Sequence, residues 1–420
     1  MSLTKPGAPS ADARPEPRAP TPGRRFGPRH RWVILGIGIA SQAAFSAAFQ
    51  GIPTTSTAMR SDYHLSNGTL GIALSAISLG IAVSEVVWGI WTDKFGERRI
   101  LLTGLLATGS VLSVMAAAVV PAGSTVPAVG VLSAALLLVG ILGGSVNGSS
   151  GRAVMAWFKD GQRGLAMSLR QTAIPAGGAL GSALLPWLAI GFGFRAVYGV
   201  LALFCFTAAA ATFRWMHSPD DQEAASGAGQ GATVASPMRD LNVWRLALAS
   251  GLLTIPQFAI LTFVAVFLHD THHSALAVGA TAIVVVQCGG AAARVASGRW
   301  TDKHPGSRRP YVRAVGAAAT LAMAAAALLA EAPTYAVVTA LVVGGILANA
   351  WHGVAYTEIA HMAGAQRAGT ALGLENTTVF VAGFLAPLMV PLLSHASWAL
   401  VWATCAVATL LAVPLAPGRK

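Results

Sequence analysis

The chain has 420 residues, of which 54% are hydrophobic and only 10% are charged, and its formal net charge is +12. A soluble globular protein carries about a quarter charged residues, so this composition excludes an ordinary soluble enzyme and indicates many membrane-spanning helices. The positive charge does not indicate nucleic-acid binding, because the basic residues lie in an N-terminal segment and in short turns between apolar runs.

In chain order, residues 1–31 are rich in Pro, Arg and Ala, and we expect a disordered cytoplasmic tail. Twelve apolar runs long enough to cross a bilayer follow. They cover about residues 32–53, 69–91, 100–120, 127–151, 165–189, 192–214, 244–267, 276–298, 312–330, 334–357, 369–391 and 396–415. A polar cytoplasmic linker, residues 215–243, separates a first group of six (32–214) from a second (244–415), and residues 416–420 form a cytoplasmic C-terminus.

The basic residues lie mostly on one side of these predicted spans. If the N-terminus is cytoplasmic, 23 of the 28 Lys and Arg fall on the cytoplasmic side, whereas the other side holds only Arg60 and Arg195. This asymmetry predicts that both termini are cytoplasmic. Arg strongly outnumbers Lys, which is typical of a GC-rich bacterial genome. We therefore expect the protein in the inner (plasma) membrane of a bacterium.

Two nearly identical charged turns follow the second and the eighth run, "GIWTDKFGERR" at 89–99 and "GRWTDKHPGSRR" at 298–309. In addition, "LRQTAIPAGGALGSALLP" at 169–186 aligns with "LENTTVFVAGFLAPLMVP" at 374–391 at a constant offset of 205 residues. The repeats predict two duplicated six-helix halves with a site between them.

The first turn resembles the signature between helices two and three of the major facilitator superfamily, and the second resembles its degenerate second-half version. The resemblance implies an all-α membrane protein with twelve transmembrane helices in two pseudo-symmetric six-helix bundles around a central cavity. It also implies that these turns hold the cytoplasmic side closed while the cavity faces outward. The gating residues implied in this way are Gly89, Asp93, Arg98, Arg152, Asp302 and Arg308.

The chemistry of the turn supports a gating role. Asp93 can accept hydrogen bonds from the amides at a helix N-terminus and can pair with Arg98, and Gly89 permits close packing. A plain basic topology signal is the alternative, but it would not require the glycines and the aspartate twice. For Arg152, extension of the side chain to the membrane interface is an equal alternative to gating.

Four ionisable residues lie inside predicted spans, where they are costly and are candidates for function. Glu85 and Arg294 each precede the glycine of a charged turn by four residues, and Arg170 and Glu375 match at the offset of 205. In the resembled fold, helices two and eleven face each other, as do helices five and eight. This would set Glu85 near Glu375 and Arg170 near Arg294.

Arg170 and Arg294 together would suit a carboxylate, and Arg294 in "ARVASGRWTD" looks like the substrate arginine of monocarboxylate and oxalate carriers. The alternatives are a charge network that closes the inner gate without contacting substrate, and simple packing. Glu85 and Glu375 are the candidate proton-coupling residues, because a carboxyl group in a low-dielectric site can exchange a proton between conformations. Further candidate substrate ligands, each otherwise explained as a hydrogen bond between helices, are Asn147, Gln257, His352 and Tyr356.

The sequence therefore predicts a non-enzymatic secondary transporter that moves a small carboxylate-like anion by alternating access with proton coupling. We expect a monomer whose partners are the lipid bilayer, the small-molecule substrate and protons, with no nucleic acid, cofactor or metal. The alternative is a proton-driven exporter of a drug-like or neutral compound. The segment "IPAGGALG" at 174–181 partly resembles the signature of drug antiporters but lacks its Gly-Pro order. A sensor without transport activity is a second alternative.

Overall fold

The computed structural model describes residues 29–123, 125–217 and 236–418. Over these ranges the chain forms α-helices joined by short turns, two 3-10 segments and one isolated bridge between Ala122 and Thr125. The α-helices of the described residues are α1 (His30–Gly51), α2 (Ser56–Asp62), α3 (Asn67–Phe95), α4 (Glu97–Ala118), α5 (Val129–Gly143), α6 (Ser145–Trp157), α7 (Arg163–Trp215), α8 (Leu241–His272), α9 (Leu276–Lys303), α10 (Arg308–Leu328), α11 (Thr334–Ala350), α12 (His352–Ala363), α13 (Ala368–Ser394) and α14 (Trp398–Leu415).

These helices make twelve membrane crossings, as predicted. Eleven segments of the described chain are long and apolar enough to span a membrane. One of them, α7, has 53 residues and would be about 80 Å long as a straight helix, although an apolar bilayer core is about 30 Å thick. It reverses at Gly193, whose φ of +75° favours glycine. α7 therefore crosses twice and supplies the predicted spans 165–189 and 192–214.

The fourth and tenth crossings are each built from two helices. α5 ends at Gly143 and α6 begins at Ser145, and α11 ends at Ala350 while α12 begins at His352. Within one helical turn of each break lies a buried asparagine, Asn147 in one half and Asn349 in the other. Both side chains belong to the candidate site described below.

The first six crossings (α1–α7) and the second six (α8–α14) form the two bundles. α3 packs along α13, and the first crossing of α7 packs along α9. One apolar cluster lies almost wholly within the first bundle and another within the second, whereas a third joins Leu35 and Phe158 of the first bundle to Leu246 and Leu372 of the second. Apolar packing therefore ties the bundles together near the start of the first crossing.

An even number of crossings places Arg29 and Gly418 at the same face of the membrane, which we call the terminal face. Asp93 and Asp302 end the second and eighth crossings and lie at this face. Of the predicted tail and linker, residues 1–28 and 218–235 lie outside the described residues. The remainder is partly helical, since α1 begins at His30 and α8 at Leu241.

Candidate functional site

The first charged turn joins the two bundles at the terminal face. Oδ1 of Asp93 accepts a hydrogen bond from the amide of Gly369 (2.8 Å), and Oδ2 accepts from the amide and the hydroxyl of Thr370 (2.7 and 2.6 Å). Both partners lie in the first turn of α13, where unpaired amides and the helix dipole favour a negative charge. The predicted contact between Asp93 and a helix N-terminus is present.

The second charged turn makes the same contact in the other direction. Oδ1 and Oδ2 of Asp302 accept hydrogen bonds from the amides of Gly164 and Leu165 at the start of α7, at 2.9 and 2.8 Å. Gly164 and Leu165 precede Gly369 and Thr370 by the duplication offset of 205 residues. The two halves are thus joined at the terminal face by equivalent contacts.

Arg98 does not form the predicted pair with Asp93. Its guanidinium donates to the carbonyl of Phe213 (2.9 Å), whereas Nε of Arg152 lies 3.3 Å from Oδ1 of Asp93. Because Phe213 belongs to the second crossing of α7, the sixth crossing rather than the turn holds Arg98. Arg152 also bonds the carboxylate of Glu97. Arg152 therefore lies in the charge cluster and does not extend to the interface alone.

In the first half the second acidic residue of the charge cluster is Glu97, at the start of α4. In the second half it is Glu358 on α12. Arg308 lies 3.7 Å from Asp302, and Nε of Arg309 donates to Glu358 on α12 at 2.6 Å. Glu97 and Glu358 were not predicted as members of these clusters. Glu97 stands inside the quoted turn, and Glu358 lies six residues beyond His352, so only Glu97 carried a local signal.

Two glycines allow the helices to approach closely enough for these contacts. A Cβ atom on Gly89 would lie 2.4 Å from the carbonyl oxygen of Gly369, and one on Gly298 would lie 2.4 Å from that of Gly164. Real Cβ contacts are not this short, so each glycine is required where α3 meets α13 and α9 meets α7.

A chain of hydrogen bonds crosses the centre of the first bundle. Nη2 of Arg170 donates to Oε1 of Gln42 (2.9 Å), Nε2 of Gln42 donates to Oδ1 of Asn147 (2.9 Å), and Nδ2 of Asn147 donates to Oε1 of Glu85. Arg170 also donates to Ser150 and to the carbonyl of Asn147. We call Arg170, Gln42, Asn147 and Glu85 the relay; it links a buried cation to a buried carboxyl group through two amides.

Arg294 connects the bundles. Its Nε and Nη2 donate to the carbonyl and the side-chain oxygen of Asn349 at 3.0 and 2.6 Å, and its Nη1 donates to the carbonyl of Gln171 in the first bundle at 3.0 Å. Neither Arg294 nor Arg170 forms a salt bridge with any described residue, although each is at most 3% exposed. Both guanidiniums are held by neutral oxygen atoms.

The two carboxyl groups are likewise held by neutral donors. Glu375 accepts a hydrogen bond from the hydroxyl of Ser250 (2.7 Å), and Glu85 accepts from Asn147. Asn376 lies close to Glu85 but outside hydrogen-bonding geometry, so Oε2 of Glu85, like Oε2 of Glu375, has no partner among the described residues. No contact joins Glu85 to Glu375 in the described part of the chain.

The four buried charges form no direct ion pair with one another. Arg294 and the backbone next to Arg170 lie where α7 meets α9, but the guanidinium of Arg170 reaches into the first bundle towards Gln42 and the carbonyl of Asn147. Both glutamates lie on α3 and α13, which meet on the other side of the bundle interface. Tyr356 on α12 lies within electrostatic range of all four groups, and its hydroxyl donates to Oδ1 of Asn376 at 2.5 Å. We call the contact of α7 with α9, whose helices carry both arginines, the cationic side, and the contact of α3 with α13 the acidic side.

Of the remaining predicted ligands, His352 lies beside the buried charges, whereas Gln257 is partly exposed. The ring of His352 stacks on that of Trp351, with centroids 3.9 Å apart, and its Nδ1 lies 3.2 Å from the carbonyl of Asn349, next to Arg294. Gln257 on α8 is partly exposed, and its Oε1 has no partner among the described residues. Sequence reasoning missed Gln171, Asn376 and Ser250, although the aligned segments "LRQT" and "LENT" place Gln171 and Asn376 at equivalent positions.

The chain resembles known membrane transporters along nearly its whole length. The family model of the Major Facilitator Superfamily matches residues 35–387. An MFS-type transporter of Mycobacterium tuberculosis strain H37Rv is 33% identical over 395 residues, which cover 93% of this chain and 85% of that protein. Its counterpart in strain CDC 1551 matches at the same identity and coverage.

Solved structures share the fold at low sequence identity. The proton:xylose symporter XylE superposes with a TM-score of 0.74 at 16% identity, with 93% of this chain and 95% of that one covered. The human organic anion transporter MFSD10 superposes with a TM-score of 0.73 at 16% identity, covering 92% and 98%. FucP in the outward conformation gives 0.71 at 12% identity, covering 92% and 99%. Together with the two duplicated bundles and the paired charged turns, the family match shows that this chain belongs to the major facilitator superfamily of membrane transporters.

Proposed function

We propose that the protein is a proton-coupled carrier of a small organic anion, with Arg170 and Arg294 as the anion-binding groups. The observation that carries the proposal is that both buried guanidiniums lack a carboxylate partner. Arg294 has no carboxylate at ion-pair distance, and Arg170 reaches Glu85 only through the two amides of the relay. A substrate carboxylate would supply the direct partner that both guanidiniums lack. A charge network that only closed the gate would not need two buried guanidiniums without a direct carboxylate partner.

Proton coupling is supported by Glu85 and Glu375. Each is fully buried, each accepts one hydrogen bond, and each has an oxygen atom without a partner. Anion entry against an inside-negative potential costs about 2.3 kcal/mol per charge per 100 mV, and a proton carried by one of these carboxyl groups would offset that cost.

We further propose that the terminal face is cytoplasmic and that the contacts of Asp93 and Asp302 close it. The basic turns favour this orientation. The interbundle hydrogen bonds from Asp93, Asp302 and Arg294 all lie in the half of the protein next to the terminal face. Alternating access would then require substrate to enter from the opposite side.

XylE and human MFSD10, which have similar folds, are a proton symporter and an organic anion transporter respectively. At 16% identity, these two proteins support only the statement that the fold can accommodate proton symport or organic anion transport. The substrate class and the coupling ion therefore rest on the buried charges.

The test is uptake into proteoliposomes that contain the purified protein, with a radiolabelled panel of acetate, propionate, lactate, succinate and malate. We expect at least one acid to accumulate when the lumen is alkaline, and Arg294→Gln and Arg170→Gln to lower its initial rate about 100-fold. Glu85→Gln and Glu375→Gln should lose accumulation driven by the pH gradient. Efflux of neutral or cationic compounds, with unchanged rates in Arg294→Gln, would instead support the exporter and overturn the anion proposal.

A further inference from the structure

We infer that Gln171 and Asn376 are a matched pair of substrate-binding carboxamides and that the substrate is a small carboxylic acid bearing a hydroxyl group. The inference rests on the proposed anion transport. It names two ligands on α7 and α13 that stand at equivalent positions of the duplicated halves, 205 residues apart.

Both side chains are buried polar groups with unused hydrogen-bonding capacity. Gln171 is 1% exposed and Asn376 is 3% exposed. Neither Nε2 nor Oε1 of Gln171 has a partner among the described residues, and Nδ2 of Asn376 has none either. An unpaired amide in an apolar interior is strongly unfavourable, so two of them at equivalent sites on interbundle helices indicate that something else pairs with them.

The surroundings of the two amides differ, and this difference sets the ligand chemistry. Gln171 lies on the cationic side, since it follows Arg170 in the chain and its carbonyl accepts a hydrogen bond from Arg294. A carboxylate bound here would accept hydrogen bonds from guanidinium and amide groups together. This side therefore fits the anionic end of the substrate.

Asn376 lies on the acidic side. Its Oδ1 is occupied by the hydroxyl of Tyr356, so the amide presents its NH₂ donor, and Glu85 and Glu375 nearby each present an oxygen acceptor without a partner. A ligand group here must accept from Asn376 and donate to a carboxyl group. A hydroxyl does both, whereas an ammonium group cannot accept and a second carboxylate would be repelled.

The experiment compares binding of hydroxylated and deoxy acids that are otherwise identical. Isothermal titration of the purified full-length protein would use lactate against propionate and 3-hydroxybutyrate against butyrate. For the wild type we expect about tenfold tighter binding of the hydroxy acid in at least one pair, because the deoxy acid leaves the buried donor of Asn376 unpaired.

The variants separate the two roles. Asn376→Leu should weaken the hydroxy acid about tenfold to the level of its deoxy analogue and leave the deoxy acid unchanged, whereas Gln171→Met should weaken both acids equally. Asn376→Ala repeats the test if the leucine variant does not fold. Asn242→Leu, at the terminal-face start of α8, is the matched control and should bind both acids like the wild type.

The outcomes also separate this inference from the proposed function. Wild-type protein that binds the acids without preference for a hydroxyl overturns the inference alone. Asn376→Leu or Asn376→Ala weakening both acids equally would assign Asn376 to positioning Glu85 and likewise overturn it. If the wild type binds none of the acids, the proposed anion transport fails as well.

Discussion

Glu85 and Arg170 do not touch each other, yet two side-chain amides connect them in a single direction. Arg170 donates to Gln42, Gln42 to Asn147 and Asn147 to Glu85. Every amide in the relay uses its oxygen towards the cation and its nitrogen towards the carboxyl group, which is the orientation that the two charges favour. A change in the charge of Glu85 would therefore alter the hydrogen bonding of Arg170. The relay that connects them uses side chains from four crossings of the first bundle.

The relay predicts that Asn147→Leu lowers both stability and transport. The substitution leaves Oε1 of Glu85 without its donor and leaves Nε2 of Gln42 with only its longer bond to Ser46 (3.5 Å). This should cost about 1–3 kcal/mol and lower the melting temperature of the purified protein. Transport in proteoliposomes should fall at least about tenfold, because Gln42 is no longer held in the orientation that bonds Arg170 and the link between Arg170 and Glu85 is broken. A variant with the melting temperature and the uptake rate of the wild type would mean that the relay contributes neither to stability nor to transport.

The charged turns predict that Asp93→Asn and Asp302→Asn open the terminal face. Each loses charge-assisted hydrogen bonds to a helix N-terminus, worth about 1.5–3 kcal/mol, so the open population should rise about 10- to 100-fold. The reporter is Leu372→Cys, a position with 0% exposure between the bundles, in protein whose cysteines at 205, 288 and 405 are replaced. Maleimide should label it faster in each variant and fastest in the double variant. Equal labelling rates in all variants would contradict the closing role.

The close helix contacts predict that Gly89→Ala and Gly298→Ala prevent closure of the terminal face. A methyl group at either site would sit 2.4 Å from a facing carbonyl oxygen, and α3–α13 or α7–α9 would have to separate. Uptake should drop while labelling of the Leu372→Cys reporter rises. Gly36→Ala is the matched control, because a Cβ atom there meets nothing within 4 Å. A similar loss of uptake in Gly36→Ala would mean that replacing glycine in a helix, and not the close contact, causes the effect.

The proposed orientation predicts which side each exposed turn faces. In intact cells, a membrane-impermeant maleimide should not label Lys94→Cys or Lys303→Cys but should label Asp270→Cys at the end of the seventh crossing. In inside-out vesicles the pattern should reverse. Labelling of Lys94→Cys and Lys303→Cys from opposite sides would contradict the parallel duplication itself.

Much of the fold was predictable because its signals are local. Apolar runs long enough to span a bilayer mark the crossings, and the offset of 205 residues marks the duplication without any knowledge of packing. The contact between Asp93 and a helix N-terminus also followed from the chemistry of one short turn. The same offset relates Gly164 to Gly369, whose amides bond the two aspartates, but these partners became visible only in the structure.

The side-chain partners could not be predicted, because they depend on how each helix is rotated. A shift of one residue turns a side chain by about 100° around the helix axis, which is enough to exchange Arg98 for Arg152 as the partner of Asp93. For the same reason the sequence alone indicated that Glu85, Arg170, Arg294 and Glu375 lie in the membrane, but not that the relay joins two of them. Composition, hydrophobic length and repetition determined the number of crossings and the buried charges. Only the packing of helices distant in the chain decided how those charges are hydrogen-bonded and which buried amides have no partner among the described residues.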